Sequence, residues 1–463
     1  MQICLKFRIL LGALSYFPAL LWSQGNGQMI KGRVVDKDTR QPLPGAAVVI
    51  TSLQPPRGTS TDDKGYFRFE NVPLGRHDLR VSYLGYEDVK LSQVVVGAGK
   101  EVILQLEMQQ KIQQIGKVEI RAAHGKEQPL NDMATVSART FDTEETQRFA
   151  ASFNDPARMA LSFAGVATAN DASNEIIIRG NSARGLQWRV EGVEVPNPNH
   201  FSNGEGGSGG GISMLSSQVL GRSDFFTGAF PAEYGNAASG VFDIHFRKGN
   251  YEKREYALQV GVLGLQASLE GPFSRKYTGS YLLNYRYSTL KLLNAMGLRL
   301  VQNALVPEFQ DLSFHLFFPT GKSASLALWG IGGVSRAGDV AEKDSLKWQQ
   351  RSDRFEDNFL QSMGATGFTY TQTLPNKKTY LKVIGAFTAE NFSYRLDSLN
   401  TFYTPQQAYK ERFTYYAART HAFVNHKFSS RHSLRSGLYY TQFFFDVLSA
   451  GLVPQTGLEG VFL

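Results

Sequence analysis

The residues of this chain that could carry chemistry are few and scattered. Gly321-Lys322-Ser323 imitates the end of a phosphate-binding loop, where backbone N–H groups and a lysine cradle phosphates. That loop needs another glycine five residues earlier, and the position is Leu316. The eight histidines contain no His-Glu-x-x-His pair, the spacing that sets two imidazoles over zinc on one helix face. His421 and His426 stand an odd number of residues apart, on opposite faces of any strand. Asp62 and Asp63 lie in Asp62-Asp63-Lys64-Gly65, where two carboxylates serve a tight turn better than a calcium ion. No pair of carboxylates can be nominated for acid/base work. We therefore assign no catalytic residue, no metal and no cofactor, and expect a protein that is not an enzyme. Nucleic acid is not an expected partner, because the net charge of +8 is spread along the chain rather than clustered.

The elements that would position other kinds of function are clearer. Residues 1–23 read as a secretory signal peptide: Lys6 and Arg8 precede an apolar run of about 13 residues, with a cleavage point after Ser23. The single cysteine, Cys4, lies inside that leader. The exported chain would then have no disulfide, thiolate metal site or cysteine nucleophile. The remaining sequence has no apolar run long enough for a transmembrane helix. Residues 24–108 alternate in short β segments separated by turns. Phe67 and Phe69 share one face opposite Arg68, and Leu79 and Val81 alternate with Arg80 and Ser82; such spacing predicts a β-sandwich. Of the 56 aromatic residues, 21 fall in the first 250 positions and 35 in the last 213. The change marks a different solvent or architecture beyond about residue 250.

Two resemblances follow from longer strings of residues. Gly32-Arg33-Val34-Val35-Asp36, Pro42-Leu43-Pro44-Gly45-Ala46, Thr61-Asp62-Asp63-Lys64-Gly65-Tyr66-Phe67 and Val81-Ser82-Tyr83-Leu84-Gly85-Tyr86 resemble the carboxypeptidase regulatory-like domain. That resemblance implies a seven-stranded transthyretin-like sandwich, of a carbohydrate-binding-like class, without peptidase activity. Further on, three strings occur in order. They are Ile177-Ile178-Arg179-Gly180-Asn181-Ser182, Trp188-Arg189-Val190-Glu191-Gly192-Val193-Glu194-Val195-Pro196, and Phe230-Pro231-Ala232-Glu233-Tyr234-Gly235-Asn236 with Ser239-Gly240-Val241. They resemble the plug of TonB-dependent outer-membrane receptors of the Bacteroidetes type, which carry the regulatory domain in front. The site residues this implies are Ile178, Arg179, Gly180, Glu191, Gly192, Glu233, Tyr234 and Gly235.

The residues themselves allow a physical reading. Gly180, Gly192 and Gly235 suit turns with positive φ, and Glu191-Gly192 would turn a hairpin spanning residues 187–195. Arg179 could pair with Glu191 or Glu233, holding the plug to a wall, or could simply fix the plug's own fold. Residues 148–166 read as a helix, with Asn154 or Asp155 as cap and Pro156 in its first turn. The glycine-rich residues 204–211 read as a mobile loop. Within the polar linker 109–134, Ile115, Lys117, Val118, Glu119 and Ile120 form a β-prone island. By the resemblance it is the TonB-coupling segment, suited to strand addition; taken alone it is an ordinary linker.

After residue 250 the pattern alternates over long segments. Tyr281, Leu283, Tyr285 and Tyr287 oppose Leu282, Asn284, Arg286 and Ser288. Leu434, Leu438, Tyr440 and Phe444 oppose Ser433, Arg435 and Thr441. Aromatic clusters, such as Phe314 with Phe317 and Phe318 and the run Phe443-Phe444-Phe445, read as segment ends. Apolar-out, polar-in alternation with aromatic girdles is the pattern of a transmembrane β-barrel. The 213 residues suffice for about 8–10 strands, whereas a plugged barrel needs about 22. The expectation is therefore a C-terminally truncated fragment that does not make a working transporter alone.

The fold class expected is mainly β: a transthyretin-like β-sandwich (24–108), a linker with a TonB-box-like segment (109–134), a small α/β plug domain (135–249) and an incomplete antiparallel transmembrane β-barrel (250–463). The function expected is import of a bulky or scarce nutrient across the outer membrane of a Gram-negative bacterium. The resemblance implies TonB with its energising inner-membrane complex, outer-membrane lipid, a surface lipoprotein and a ligand as partners. Glycan, peptide, siderophore and cobalamin all remain open as cargo. A non-transporting ligand-capture or adhesion protein using the sandwich is the alternative.

Overall fold

The computed structural model describes residues 27–111, 130–131, 133–134, 137–141, 146, 152, 155–170, 173–202, 209–261, 264–290, 304–321, 323–399, 402–452 and 459–462. The leader, the coupling segment with Ile115, Lys117, Val118, Glu119 and Ile120, and residues 204–208 of the glycine loop lie outside the described residues.

The first unit is a β-sandwich of seven strands: β1 (Gly27–Asp36), β2 (Ala47–Ile50), β3 (Arg57–Ser60), β4 (Tyr66–Pro73), β5 (Gly75–Ser82), β6 (Val89–Val96) and β7 (Val102–Met108). One sheet has the order β4-β1-β7, the other β3-β2-β5-β6. β1 pairs parallel with β7, and the other ladders are antiparallel. Alternation decides the faces as expected: Phe67, Phe69, Leu79 and Val81 are buried in the common core with Val34, Val48 and Leu106. Asp62 Oδ1 accepts the backbone N–H groups of Lys64 (2.9 Å) and Tyr66 (2.7 Å), so its carboxylate caps the turn. Lys31 and Glu101 form a wholly buried ion pair at 2.7 Å. Truncating either partner would strand a charge, at a cost of about 3–5 kcal/mol.

The middle domain is built on short elements: β8 (Ala138–Phe141), helix α1 (Pro156–Met159), β9 (Val166–Ala167), β10 (Ile177–Ile178), β11 (Leu186–Val190), β12 (Val193–Val195), β13 (Asn199–His200), β14 (Ile212–Ser213), β15 (Ser223–Phe226) and β16 (Gly240–Ile244). A five-stranded sheet has the order β12-β11-β16-β15-β8. β11 runs parallel to β16, and β15 antiparallel to both its neighbours. Trp188 stacks on Phe242 at 4.9 Å between centroids, and Phe141 and Phe225 meet the same ring edge-on or tilted. Of the expected helix, residues 148–151, 153 and 154 lie outside the described residues, and at its C-terminal end the helix stops earlier than expected. Asp155 caps it, accepting from Ala157 N at 2.9 Å, and Pro156 opens it. It continues only as a 3-10 turn, Ala160–Ser162. The chain must then deliver Phe163 to the core against Phe225 and enter β9, which pairs with β10. Tertiary packing stops this helix before its composition does.

The last region is one antiparallel sheet of ten strands: β17 (Glu255–Val260), β18 (Gly264–Ser274), β19 (Tyr277–Ser288), β20 (Ala304–Thr320), β21 (Ala324–Asp339), β22 (Phe355–Thr373), β23 (Thr379–Leu399), β24 (Pro405–Lys427), β25 (Ser433–Leu452) and β26 (Glu459–Phe462). Each strand pairs with its neighbours in sequence, in the order β17 through β26. The expected alternation holds. Asn284, Ser313, Trp329, Gln361, Met363 and Ile384 are buried on one face. Trp329, Met363 and Ile384 join the core of the middle domain. Tyr285, Leu312, Phe387, Tyr416, Leu438, Tyr440 and Phe444 are exposed on the other. One reading is corrected: Phe443, Phe444 and Phe445 sit in the middle of β25 rather than at its end. Strands of 19 to 23 residues, as β22 to β25 are, far exceed the ~9–11 that a tilted strand needs to cross hydrocarbon.

Candidate functional site

Of the residues named from the sequence, Gly192 and Glu233 lie on the seam where the middle domain meets the buried face of the ten-stranded sheet. The β11–β12 hairpin reaches that face. Glu191 (φ 53°) and Gly192 (φ 84°) form its turn, both left-handed, which is the two-residue turn that matches strand twist. A Cβ on Gly192 would stand 3.2 Å from Ile384 Cδ1 of β23, so the glycine serves the turn and the close approach together. The Gly192 carbonyl accepts from the Arg189 guanidinium at 2.6 Å and faces the His421 ring of β24 at 3.2 Å. Glu191 Oε1 accepts the Phe246 N–H at 2.6 Å and ties the hairpin to the end of β16. Ile178 is buried against Gly240, where a Cβ would collide with its Cδ1 at 2.2 Å.

Arg179 and Gly180 are again consecutive left-handed residues, φ 50° and 78°. The Arg179 guanidinium donates to Ser137 Oγ at 3.1 Å, and neither Glu191 nor Glu233 is its partner. Gly235 is also corrected, for its φ is not left-handed; Asn236 takes that conformation instead, at φ 64°. The Gly235 carbonyl accepts from the Gln187 amide at 2.6 Å.

Contact between the middle domain and the sheet runs through pairs that do not include Arg179. Glu233 Oε1 accepts from Arg435 of β25 at 2.7 Å and from Asn131 Nδ2 at 2.5 Å. Tyr234 lies beside it and donates to Asp243 Oδ2 at 2.8 Å, while accepting from Asn131 Nδ2 at 3.1 Å. Burial and the carboxylates of Asp243 and Glu233 push the Tyr234 hydroxyl up, which keeps it a donor. Burial alone would raise the Asp243 carboxyl, yet His245, Arg189 and Tyr234 hold it below the usual carboxylate range. Arg189 lies over the rings of Tyr234 (4.8 Å) and Tyr439 of β25 (5.9 Å), and its guanidinium donates to the Glu233 carbonyl at 3.0 Å. Arg419 of β24 approaches Glu194 of β12 at 3.4 Å.

A second polar contact holds the opposite side of the domain. His200 Nε2 stands 3.0 Å from Asp311 of β20, which pairs with Arg286 of β19 at 2.8 Å. The Ser202 N–H donates to Gln361 of β22 at 2.9 Å. Arg247 pairs with Glu270 of β18 through both guanidinium nitrogens, each at 2.7 Å.

The linker enters the domain at a carboxylate. Asp224 of β15 accepts the Leu130 N–H on Oδ1 and the Asn131 N–H on Oδ2, each at 3.0 Å, and the Thr140 hydroxyl at 2.5 Å. Leu130 and Asn131 directly follow residues 112–129. Asn131 therefore joins three things: the linker's end, Asp224, and the Glu233–Arg435 pair. Sequence reasoning passed over Asn131, Asp224, Asp243 and Arg435 as site residues. One signal was available: Arg189 and Asp243 are opposite charges, each inside an apolar run, and they face one another across the parallel pair β11–β16.

The arrangement contains no catalytic constellation. Among the described residues no group of three His, Cys, Asp or Glu could hold a metal ion. No described helix is long and apolar enough to cross a membrane. What the seam offers is a shared apolar core, with Trp329, Met363 and Ile384 from the sheet, flanked by polar contacts between a small domain and a sheet.

Comparison with known proteins places the first unit. Residues 29–109 match the family model of the carboxypeptidase regulatory-like domain. No curated protein matches the chain. Among solved structures, the chain is similar to FpvA of P. aeruginosa bound to heterologous pyoverdines (12% identity, TM-score 0.48, covering 69% of this chain and 44% of that one). It is also similar to the copper transporter OprC (9%, TM-score 0.45, 70% and 48%). A third is the siderophore receptor PirA from Pseudomonas aeruginosa (15%, TM-score 0.37, 68% and 55%). The chain spans about half the length of these solved proteins.

Proposed function

We propose that this chain belongs to an outer-membrane receptor of the TonB-dependent kind, with the ten-stranded sheet as membrane wall and the middle domain as plug. One observation carries the reading. The middle domain sits on one face of a sheet whose other face is apolar and aromatic, and it is attached through a shared core with Trp329, Met363 and Ile384 and through hydrogen bonds and ion pairs. A sheet meets lipid with such an outer face.

In this reading a ligand, a bulky or scarce nutrient, is held above the plug. TonB takes hold of the segment containing Ile115, Lys117, Val118, Glu119 and Ile120 by strand addition. Force on that segment arrives first at Leu130 and Asn131, on the Asp224 carboxylate. Drawing Asn131 away removes one of the two donors on Glu233 and loosens its hold on Arg435. The strand next in line is β8, the edge of the five-stranded sheet, held there by a ladder of four residue pairs. The regulatory-like sandwich ahead of the linker is a docking module of the same receptor.

The test is uptake in cells with and without TonB. Deleting residues 115–120 from the receptor should abolish TonB-dependent accumulation while leaving ligand binding intact. Unchanged accumulation would sink the coupling assignment. Ligand capture with no TonB-dependent accumulation in the unaltered receptor would favour the ligand-capture or adhesion role.

A further inference from the structure

We propose that the outer face of the ten-stranded sheet carries a seat for one ester-linked glycerolipid, in the gap that Gly332, Gly364 and Ala389 leave in a row of aromatic side chains. The inference rests on reading the sheet as membrane-spanning.

The row follows from strand register. Tyr285 stands opposite Leu312, Leu312 opposite Gly332, Gly332 opposite Gly364, Gly364 opposite Ala389, Ala389 opposite Tyr416, and Tyr416 opposite Phe444. Tyr285, Leu312, Tyr416 and Phe444 are exposed on the outer face. Aromatic rings in such a row sit at the level where hydrocarbon gives way to headgroups. Across three adjacent strands, β21 to β23, the ring is replaced by hydrogen or methyl. The result is a hollow of about 460 Å³. Its floor cannot be refilled from every side. A Cβ on Gly332 would stand 3.0 Å from the Met363 carbonyl, whereas one on Gly364 would meet nothing within 4 Å.

The rows on either side give the hollow its chemistry. One step toward the apolar belt lie Phe314, Gly330, Thr366 and Phe387, in register. One step the other way lie Gln310, Val334, Ser362, Asn391 and Thr414. That upper row carries no charge from β20 to β24, and every member but Val334 is polar. Tyr285 donates its hydroxyl to Gln310 Oε1 at 2.8 Å, which leaves the amide nitrogen as the donor of that side chain. Asn391 and Ser362 add an amide and a hydroxyl at the same level, with Asn391 Nδ2 only 3.4 Å from Thr414 Oγ1. A site apolar below and rich in neutral donors above fits an acyl chain with its ester carbonyl. The absence of charge in that row selects the ester region rather than a phosphate. Water would leave the floor unsatisfied, and a flat protein surface would leave the hollow empty.

The full chain is refolded into phosphatidylcholine vesicles containing a trace of phosphatidylcholine with a photoreactive group high on one acyl chain. After irradiation, adducts are mapped by mass spectrometry. They should concentrate on peptides from β21, β22 and β23, and fall several-fold in Gly364→Trp, which fills the hollow where a side chain has room. An unlabelled ester lipid should compete about fivefold better than its ether analogue, the worth of about one hydrogen bond. Asn391→Leu should remove that difference. Even labelling over the outer face, labelling unchanged in Gly364→Trp, equal competition by the ether lipid, or cross-linking to a second copy would each overturn the seat. A chain that does not enter vesicles at all would overturn the membrane reading beneath it, which even labelling of an inserted chain would not.

Discussion

Replacing Asp224 by alanine should free the linker's end without unfolding the domain behind it. The carboxylate holds two backbone N–H groups, of Leu130 and Asn131, at 3.0 Å each. Hydrogen bonds to a charged acceptor contribute about 1.5–3 kcal/mol apiece, so roughly 3–6 kcal/mol for the two. Releasing two residues returns about 1–2 kcal/mol of backbone entropy for each. The gain is further offset because burial raises the Asp224 carboxyl in spite of its three donors. The net hold is therefore about 1–3 kcal/mol, equal to roughly 5- to 150-fold in an opening equilibrium. Hydrogen exchange on the full chain reads this directly: the amides of residues 130 and 131 should exchange faster by that factor in Asp224→Ala. The amides of β11 and β16, paired away from Asp224 in a parallel ladder, should keep their protection. Asp224→Asn, which retains one carbonyl acceptor, should fall between the two. If the two linker amides exchange alike in all three proteins, the carboxylate does not hold the linker, and the proposed path of force from linker to Glu233 is wrong.

Three further outcomes follow from the same seam. A double-mutant cycle on Glu233→Gln and Arg435→Gln should give a coupling of about 1–2 kcal/mol, measured as the denaturant stability of the middle domain in the lipid-refolded chain; additive effects would mean the pair contributes nothing. Gly192→Ala should cost about 1–2 kcal/mol because φ is 84° there, while Gly180→Ala, with nothing within 4 Å of its Cβ, should cost the strain alone; the comparison isolates the Ile384 contact. Asp243, held below the usual carboxylate range in the folded state, contributes stability that is present above its unfolded pKa of about 4 and lost as pH falls below it. Unfolding midpoints measured down to strongly acidic pH should show that loss, and Asp243→Asn should have a flatter acid limb.

Much of the architecture could be read from the residues, for reasons that differ by region. Alternation identified both faces of β19 and β25, because a sheet buried on one side and exposed on the other forces a period of two. The hairpin at Glu191-Gly192 was legible because two left-handed residues in succession admit few alternatives. The helix over residues 148–166 was overread, since composition does not register where Phe163 must turn to reach Phe225. Gly235 was assigned the left-handed position one residue too early; asparagine tolerates that conformation too, and Asn236 follows it. Of the two readings of Arg179, pairing with Glu191 or Glu233 fails and contact within its own domain, to Ser137, stands, because a strand-end arginine shows nothing of which side of the domain it faces. The clasp on Asp224 was out of reach. Its partners stand 84 to 94 residues away, and no local pattern marks an aspartate as the acceptor of distant backbone groups.

The two sheets differ in how far along the chain their strands must search for partners, and this sets an order of assembly. In the ten-stranded sheet every ladder joins consecutive strands, so each new strand zips onto the last after closing one connection. The five-stranded sheet places β8 beside β15, with Thr140 and Asp224 84 residues apart. The entropy of closing a loop rises with its length, and pairings of long separation form slowly. β8 is thus the first strand of its domain to leave the ribosome and the last to find its place. Until β15 and β16 have formed, β8 stays unpaired, with Phe141 and the backbone groups of an edge exposed. Folding factors that meet this protein on its way should therefore meet that strand first.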